Sequence, residues 1–223
     1  MKRLDLLWLA VLIVITGIFV FPVSHELFIS LTKAHPYLMG FVKFSILSTM
    51  GELLVIRLGN DDWKKPPGVT YRFVVWGLIG MLIVLMFEIF SIGVKGAMSS
   101  GLLFSVEKPF SIFWNALMIS TIMNLVFAPV FMIAHRFTDT YIDMMCGEGI
   151  PTSKIELNDI VERIDWQGFI SFVVLKTIPF FWIPAHTITF TVASEYRVLV
   201  AAYLSIALGI ILSYAKSKKV KEC

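Results

Sequence analysis

Charge is scarce in this chain. Only 16% of its 223 residues are Asp, Glu, Lys or Arg, against 57% hydrophobic. A water-soluble domain carries more charge and fewer unbroken apolar runs, so one compact membrane domain is the simplest reading. Cysteine is scarcer still. Cys146 and Cys223 stand far apart and neither belongs to a Cys-x-x-Cys pair, which leaves no metal-ligand spacing and no signal of redox compartment. The terminal Lys-Glu-Cys is not a prenylation box. The net charge of +3 is small, and the basic residues flank apolar runs instead of forming a face of their own, so nucleic acid is not an expected partner. Familiar catalytic spacings are missing too. His25-Glu26 has no second histidine at zinc-protease distance, and there is no Gly-x-Ser-x-Gly elbow or phosphate-binding glycine loop. No catalytic residue, metal or cofactor is expected, and no internal repeat is visible.

What the chain does have is six apolar runs: 6–23, 37–58, 71–94, 110–134, 167–192 and 196–214. Each is roughly 20 residues, enough to cross about 30 Å of hydrocarbon. The expected fold is all-α, a polytopic membrane bundle of about six transmembrane helices. Short interfacial helices join them. One is expected at 25–35, and a second within the polar segment 137–166. There Ser153 and Glu156 form a capping-box pattern, followed by Leu157, Ile160, Val161 and Ile164 at helical spacing. The stretch 95–108 reads as a small-residue loop, partly re-entrant. The first run resembles a secretory signal, but no small-x-small cleavage site follows, so it reads as an uncleaved helix.

Lys and Arg at the ends of the runs and between them are unevenly distributed. With the amino terminus inside, Lys2, Arg3, Arg57, Lys64, Lys65, Arg72, Arg136, Lys154, Arg163 and four carboxy-terminal lysines lie inside, against Lys33, Lys95, Lys108 and Arg197 outside. The positive-inside rule therefore puts both termini inside.

The last run carries Ala201, Ser205, Gly209 and Ser213 at four-residue spacing. That sets four small side chains on one helix face, where another helix can approach closely. Six residues fall at hydrocarbon depth and are costly there: Lys43, Glu52, Glu88, Asn124, Lys176 and His186. They should face the interior, pair, or line water. Lys43 and Glu52 are half a turn out of phase on one helix, so Lys43 or Lys176 is expected to pair with Glu52 or Glu88 across helices. As a set they can line or gate a polar path. The alternative is structural glue. Lys43 and Lys176 can also snorkel, and His186 by itself reads as a packing histidine. Pro129, Pro179 and Pro184 interrupt spans and bend them or free carbonyls. His135, Asp139 and Asp143 recur one turn apart after the fourth run. Their ordinary reading is a solvated helix end, and their sharper one a metal or proton site.

Pro36, Gly51, Pro129, Trp182, Arg197 and Leu212-Ser213 stand in a pattern that resembles the Mpv-seventeen / peroxisomal membrane protein family. Its opening is an aromatic helix, a His-Pro and a span ending in Gly-Asp. Here Glu52 stands in the aspartate's place. A central Phe-Ala-Pro appears as Phe127-Ala128-Pro129, and the closing pattern as Trp182, Pro184, Phe190, Arg197, Leu212-Ser213 and Lys216. Residues 25–223 carry the likeness as one multi-pass domain, and 1–24 form an additional helix. Several positions depart from the pattern. Leu85-Met86 and Ser91-Ile92 replace the family's Gly-Pro and Trp-Tyr, and His186 and Thr189 replace its Gln and Asn. The resemblance implies a channel-like protein of a bacterial cell membrane, or of a mitochondrial inner or peroxisomal one. Such a protein would pass small solutes or ions and influence membrane potential and redox balance. The expected partners are the lipid bilayer, an unidentified small solute or ion, and a second copy of the chain if it is a homo-oligomer. The alternative is a scaffold membrane protein without transport.

Overall fold

A computed structural model describes residues 2–60 and 62–221, without side chains from 212 onward. Among these residues there are helices and turns but no strand. Six helices or helical runs are long and apolar enough to cross a bilayer, so this is an all-α, multi-pass integral membrane protein. Helix α1 spans Arg3–Val20 and α2 Pro22–Ala34. Next come α3 (Pro36–Asn60), α4 (Val69–Ser99) and α5 (Ser111–Ile142). The short α6 (Leu157–Arg163) precedes a run that starts as α7 (Trp166–Gly168), winds as a π-helix through Phe169–Trp182 and ends as α8 (Ile183–Thr191). Helix α9 covers Ser194–Lys221.

Helix starts follow local chemistry. Pro22 falls in a first turn, where a missing N–H costs nothing, and Pro184 stands at the joint where the π-helix passes into α8. Gly68 begins α4 in the left-handed region at φ 60°, a conformation that glycine adopts without strain. The cap of α6 lies three residues beyond the one expected. Glu156 and Asp159 form the capping box, while Ser153 sits in a 3-10 turn at Thr152–Lys154. Ile160 and Ile164 bury against Met144 as a satellite core, and Leu157 stays exposed.

Packing is closest where side chains are smallest. A Cβ on Gly80 would lie 2.2 Å from the Gly40 carbonyl oxygen, so α3 and α4 touch backbone to backbone. On its other side α3 meets α9. A Cβ on Gly51 would lie 3.3 Å from the Ser205 backbone, and one on Gly209 2.8 Å from Val55. Ala201 is buried along the same face. Ser213, Leu212 and Lys216 have side chains outside the described residues. Helix α1 buries no residue fully but is fastened to the bundle. Trp8 Nε1 donates to the Met50 carbonyl, Thr16 bonds Tyr203, and Asp5 pairs with Arg57.

Two boundaries differ from the sequence expectation. Helix α4 runs on to Ser99, absorbing part of the presumed re-entrant loop. Helix α5 continues to Ile142, eight residues past the apolar run, and closes in a π turn at Asp143–Gly147. Apolar pattern ends where lipid contact ends, but the backbone stays helical while side chains find partners on neighbouring helices.

Candidate functional site

The antiparallel α3–α4 pair brings Glu52, late in α3, level with Arg72 in the first turn of α4. Because α5 stays helical, His135, Asp139 and Asp143 remain on one face, one turn apart. That face closes on Arg72, which is only 8% exposed. Its Nη1 donates to Asp139 Oδ1 at 2.9 Å, Nη2 to Asp143 Oδ1 at 2.7 Å and Nε to the Pro67 carbonyl at 3.1 Å. Nη1 also lies 3.7 Å from Glu52 Oε1. A planar, forked guanidinium suits such a hub. His135 Nε2 lies 3.5 Å from Asp139 Oδ2, and its ring packs on Trp76 at 4.4 Å between centroids.

The solvated helix end expected at His135, Asp139 and Asp143 is therefore an ion-paired face. Only Asp143 keeps half its side chain in solvent. Arg72, which reads in sequence as an inside-facing cation at the start of the third run, is the hub itself. Four residues past the Gly68 turn, nothing in its flanks separates a buried arginine from an interfacial one. Glu52, His135 and Asp139 could hold a metal ion by donor type, since one ligand atom from each falls within 4.8 Å of the others. The guanidinium already on this cluster competes with that use.

Beside the ionic cluster lies a cavity of about 550 Å³, walled by α3 and α9 on one side and by α5 and the π-helix on the other. Most of the wall is apolar, including Phe44, Ile83, Phe127, Phe131 and Phe172. Five lining residues carry a buried polar atom with no hydrogen-bond partner among the described residues: Ser48 Oγ, Glu52 Oε2, Trp76 Nε1, His135 Nδ1 and Trp182 Nε1. Buried polar atoms are nearly always partnered in folded proteins, so this wall, on which the Trp76 indole also lies near the Glu52 carboxyl, is the candidate site.

Deeper in the bundle, His186 Nδ1 and the Asn124 amide are hydrogen-bonded at 3.1 Å. Asn124 Nδ2 donates to the Ser120 carbonyl, and Ser120 Oγ to the Ile183 carbonyl at 2.7 Å. This net ties α5 to the joint between the π-helix and α8. The cavity's lining reaches His186 and no further. The Phe87 ring stands edge-on to His186 at 5.7 Å and packs on Phe190 at 4.9 Å, with Ile119 and Leu199 buried in the same core.

At the end of the bundle that holds Lys2, a second cavity of about 690 Å³ is lined by Asp143, Glu148, Arg163 and Asp165. It shares Arg136, Phe169, Phe172 and Val173 with the first, so the two chambers adjoin. Glu148 accepts a hydrogen bond from Arg163, which holds its carboxyl below the usual carboxylate range.

Of the six polar residues singled out from sequence, Glu52, Asn124 and His186 line the inner cavity. Lys43 is buried elsewhere. It donates to Thr32 Oγ1 at 3.1 Å and stands 4.5 Å over the Phe28 ring. Glu88 and Lys176 are exposed on the perimeter, and the charge of Glu88 acts on Arg197. The expected pairing of Lys43 or Lys176 with Glu52 or Glu88 is not found. The α3–α4 register hands Glu52 to Arg72, and α2 covers Lys43. Among the motif residues, Pro36 opens α3, Pro129 lies inside α5 and Trp182 lines the cavity. Arg197 Nε donates to the Val192 carbonyl and its guanidinium lies over Phe190, closing the α8–α9 turn. No family model, curated protein or solved structure matches the chain.

Proposed function

We propose that this membrane protein is a gated, channel-like passage for a small solute, as its resemblance to the Mpv-seventeen / peroxisomal membrane protein family implies, with both termini inside. The observation that carries the reading is the inner cavity with its five unpartnered polar atoms. Irregular backbone at membrane depth is tolerated where it lines a cavity, and the π-helix Phe169–Trp182 does so through Phe169, Phe172, Val173, Thr177 and Trp182. The polar chamber at the Lys2 end gives a solute a charged mouth. The Arg72 cluster stands at the cavity's end, and Phe87 and Phe190 close the far half. The additional helix α1 lies outside this path.

The test is efflux of size-graded solutes from liposomes containing the purified protein. Efflux above protein-free liposomes is expected, and Glu52→Gln should change its rate while leaving the melting temperature in detergent within a few degrees of wild type. Rates equal to protein-free liposomes for every solute would overturn the passage reading. A scaffold role is favoured by one observation: Asn124, His186 and Ser120 spend their hydrogen bonds tying α5 to α8. It predicts that Glu52→Gln and Asn124→Leu alter melting alone.

A further inference from the structure

The proposed passage leaves the solute's chemistry open, and the cavity constrains it. Five charged groups stand at or beside its ionic end: Glu52, Arg136 and Asp139 line it, and Arg72 and Asp143 are ion-paired next to them. Two guanidinium groups against three carboxylates leave one negative charge when His135 and His186 are neutral. Glu52 is the one of these carboxylates to which Arg72 makes no short hydrogen bond. Asp139 and Asp143 each accept a hydrogen bond from Arg72 below 3 Å. Glu52 has no such short bond: Nη1 approaches Oε1 only to 3.7 Å and the Trp76 indole N–H lies near the carboxyl, while Oε2 is buried without a hydrogen-bond partner of standard geometry among the described residues. One turn back on α3, Ser48 Oγ is also unpartnered, and Ser48 is 1% exposed. Aromatic rings line the same cavity. Trp76 and Phe131 both pack on His135, and Trp182 stacks on His186 at 5.2 Å.

Resting on that reading, we propose that the inner cavity binds a small organic ammonium ion with an apolar body. Its cationic head would lie at Glu52 Oε2, and its body along Phe44, Phe127 and Phe172. The volume suits a single small molecule, since ligand cavities run to about 300–1,000 Å³. Aromatic rings attract organic cations through their faces, most strongly when water is excluded. A single positive charge neutralises the site. A divalent metal ion would overshoot it and stand beside Arg72. An anion would add to the surplus carboxylate charge.

The experiment is calorimetric titration of the purified protein in nanodiscs with three probes of like shape: phenethylammonium, neutral phenethyl alcohol and anionic 3-phenylpropanoate. Phenethylammonium should bind at least tenfold more tightly than either of the others. Glu52→Gln should abolish that preference, whereas Glu107→Gln, at an exposed carboxylate outside both cavities, should keep it. Ser48→Ala, which keeps the carboxylate, should weaken phenethylammonium binding several-fold. Equal binding of all three probes, or preference for the anion, overturns the proposal. So does zinc binding at stoichiometric level that Glu52→Gln removes. Liposome efflux separates the two readings. Binding without flux keeps the site and defeats the passage, whereas flux of other solutes without phenethylammonium binding does the reverse.

Discussion

Arg72 holds the ionic end of the bundle together, and its removal would be felt more than that of any single acid around it. Arg72→Met strands Asp139 and Glu52 as buried, uncompensated carboxylates. Breaking a buried pair by deleting one partner costs about 3–5 kcal/mol, so thermal unfolding in detergent should show a loss of that order. Arg72→Lys should recover part of it, because an ammonium cannot donate to Asp139 and Asp143 as a fork does. Asp143→Asn should cost less than about 1 kcal/mol, since exposed pairs are weak. A second residue-scale expectation concerns pH. The Arg163 hydrogen bond holds Glu148 below the usual carboxylate range in the folded protein. The native state therefore binds that proton less readily than the unfolded chain, and the pair's contribution is complete at neutral pH and lost as pH falls through the depressed value. Melting curves from pH 8 down to pH 3 should fall less steeply on the acid side for Glu148→Gln than for wild type.

At the scale of elements, close helix contact depends on glycines. Gly80→Ala would drive a Cβ to 2.2 Å from the Gly40 carbonyl oxygen. Backbone cannot yield as a flexible side chain can, so α3 and α4 must separate, and overpacking of this kind costs about 1–3 kcal/mol. Gly93→Ala is the control. It lies in the same helix with nothing within 4 Å of its added Cβ, and should be neutral or stabilising by up to about 1 kcal/mol. Comparing the two melting temperatures isolates contact from helix propensity. The helices themselves were legible in the sequence because lipid demands long apolar runs, and all six appear. Their ends were less so. Helix α5 outlasts its hydropathy because Asp139 and Asp143 are held by Arg72 of another helix, a fact with no local trace. The π-helix was equally hidden. Pro179 and Pro184 announced an interruption but not its winding. Of the cavity lining, Glu52, Asn124 and His186 were legible as polar groups at hydrocarbon depth, but Lys43, Glu88 and Lys176 met the same criterion and lie elsewhere. Trp76 and Arg72 were not legible, since an aromatic in an apolar run and an arginine after a turn look ordinary.

The whole molecule is asymmetric along the bundle axis. Two adjoining chambers occupy the half nearer Lys2, and beyond them the apolar core closes around Phe87 and Phe190. The proposed passage is closed at one level, where Phe87 and Phe190 stand behind His186. Resistance to flux should then reside in those two rings and not in the wider chambers. Phe87→Ala removes one of them, opening space continuous with the inner cavity while leaving the Asn124–His186 hydrogen bond in place. Large-to-small changes at buried aromatics cost about 3–5 kcal/mol, so the variant must first be shown by its melting curve to be folded at the assay temperature. Solute efflux from liposomes should then rise several-fold above wild type. Phe180→Ala, at a side chain 80% exposed on the perimeter, should leave the rate unchanged. If Phe87→Ala is folded yet no leakier than wild type, the aromatic core is not the barrier. If both variants leak equally, the path lies outside the bundle's interior, along the lipid-facing perimeter that Phe180 shares.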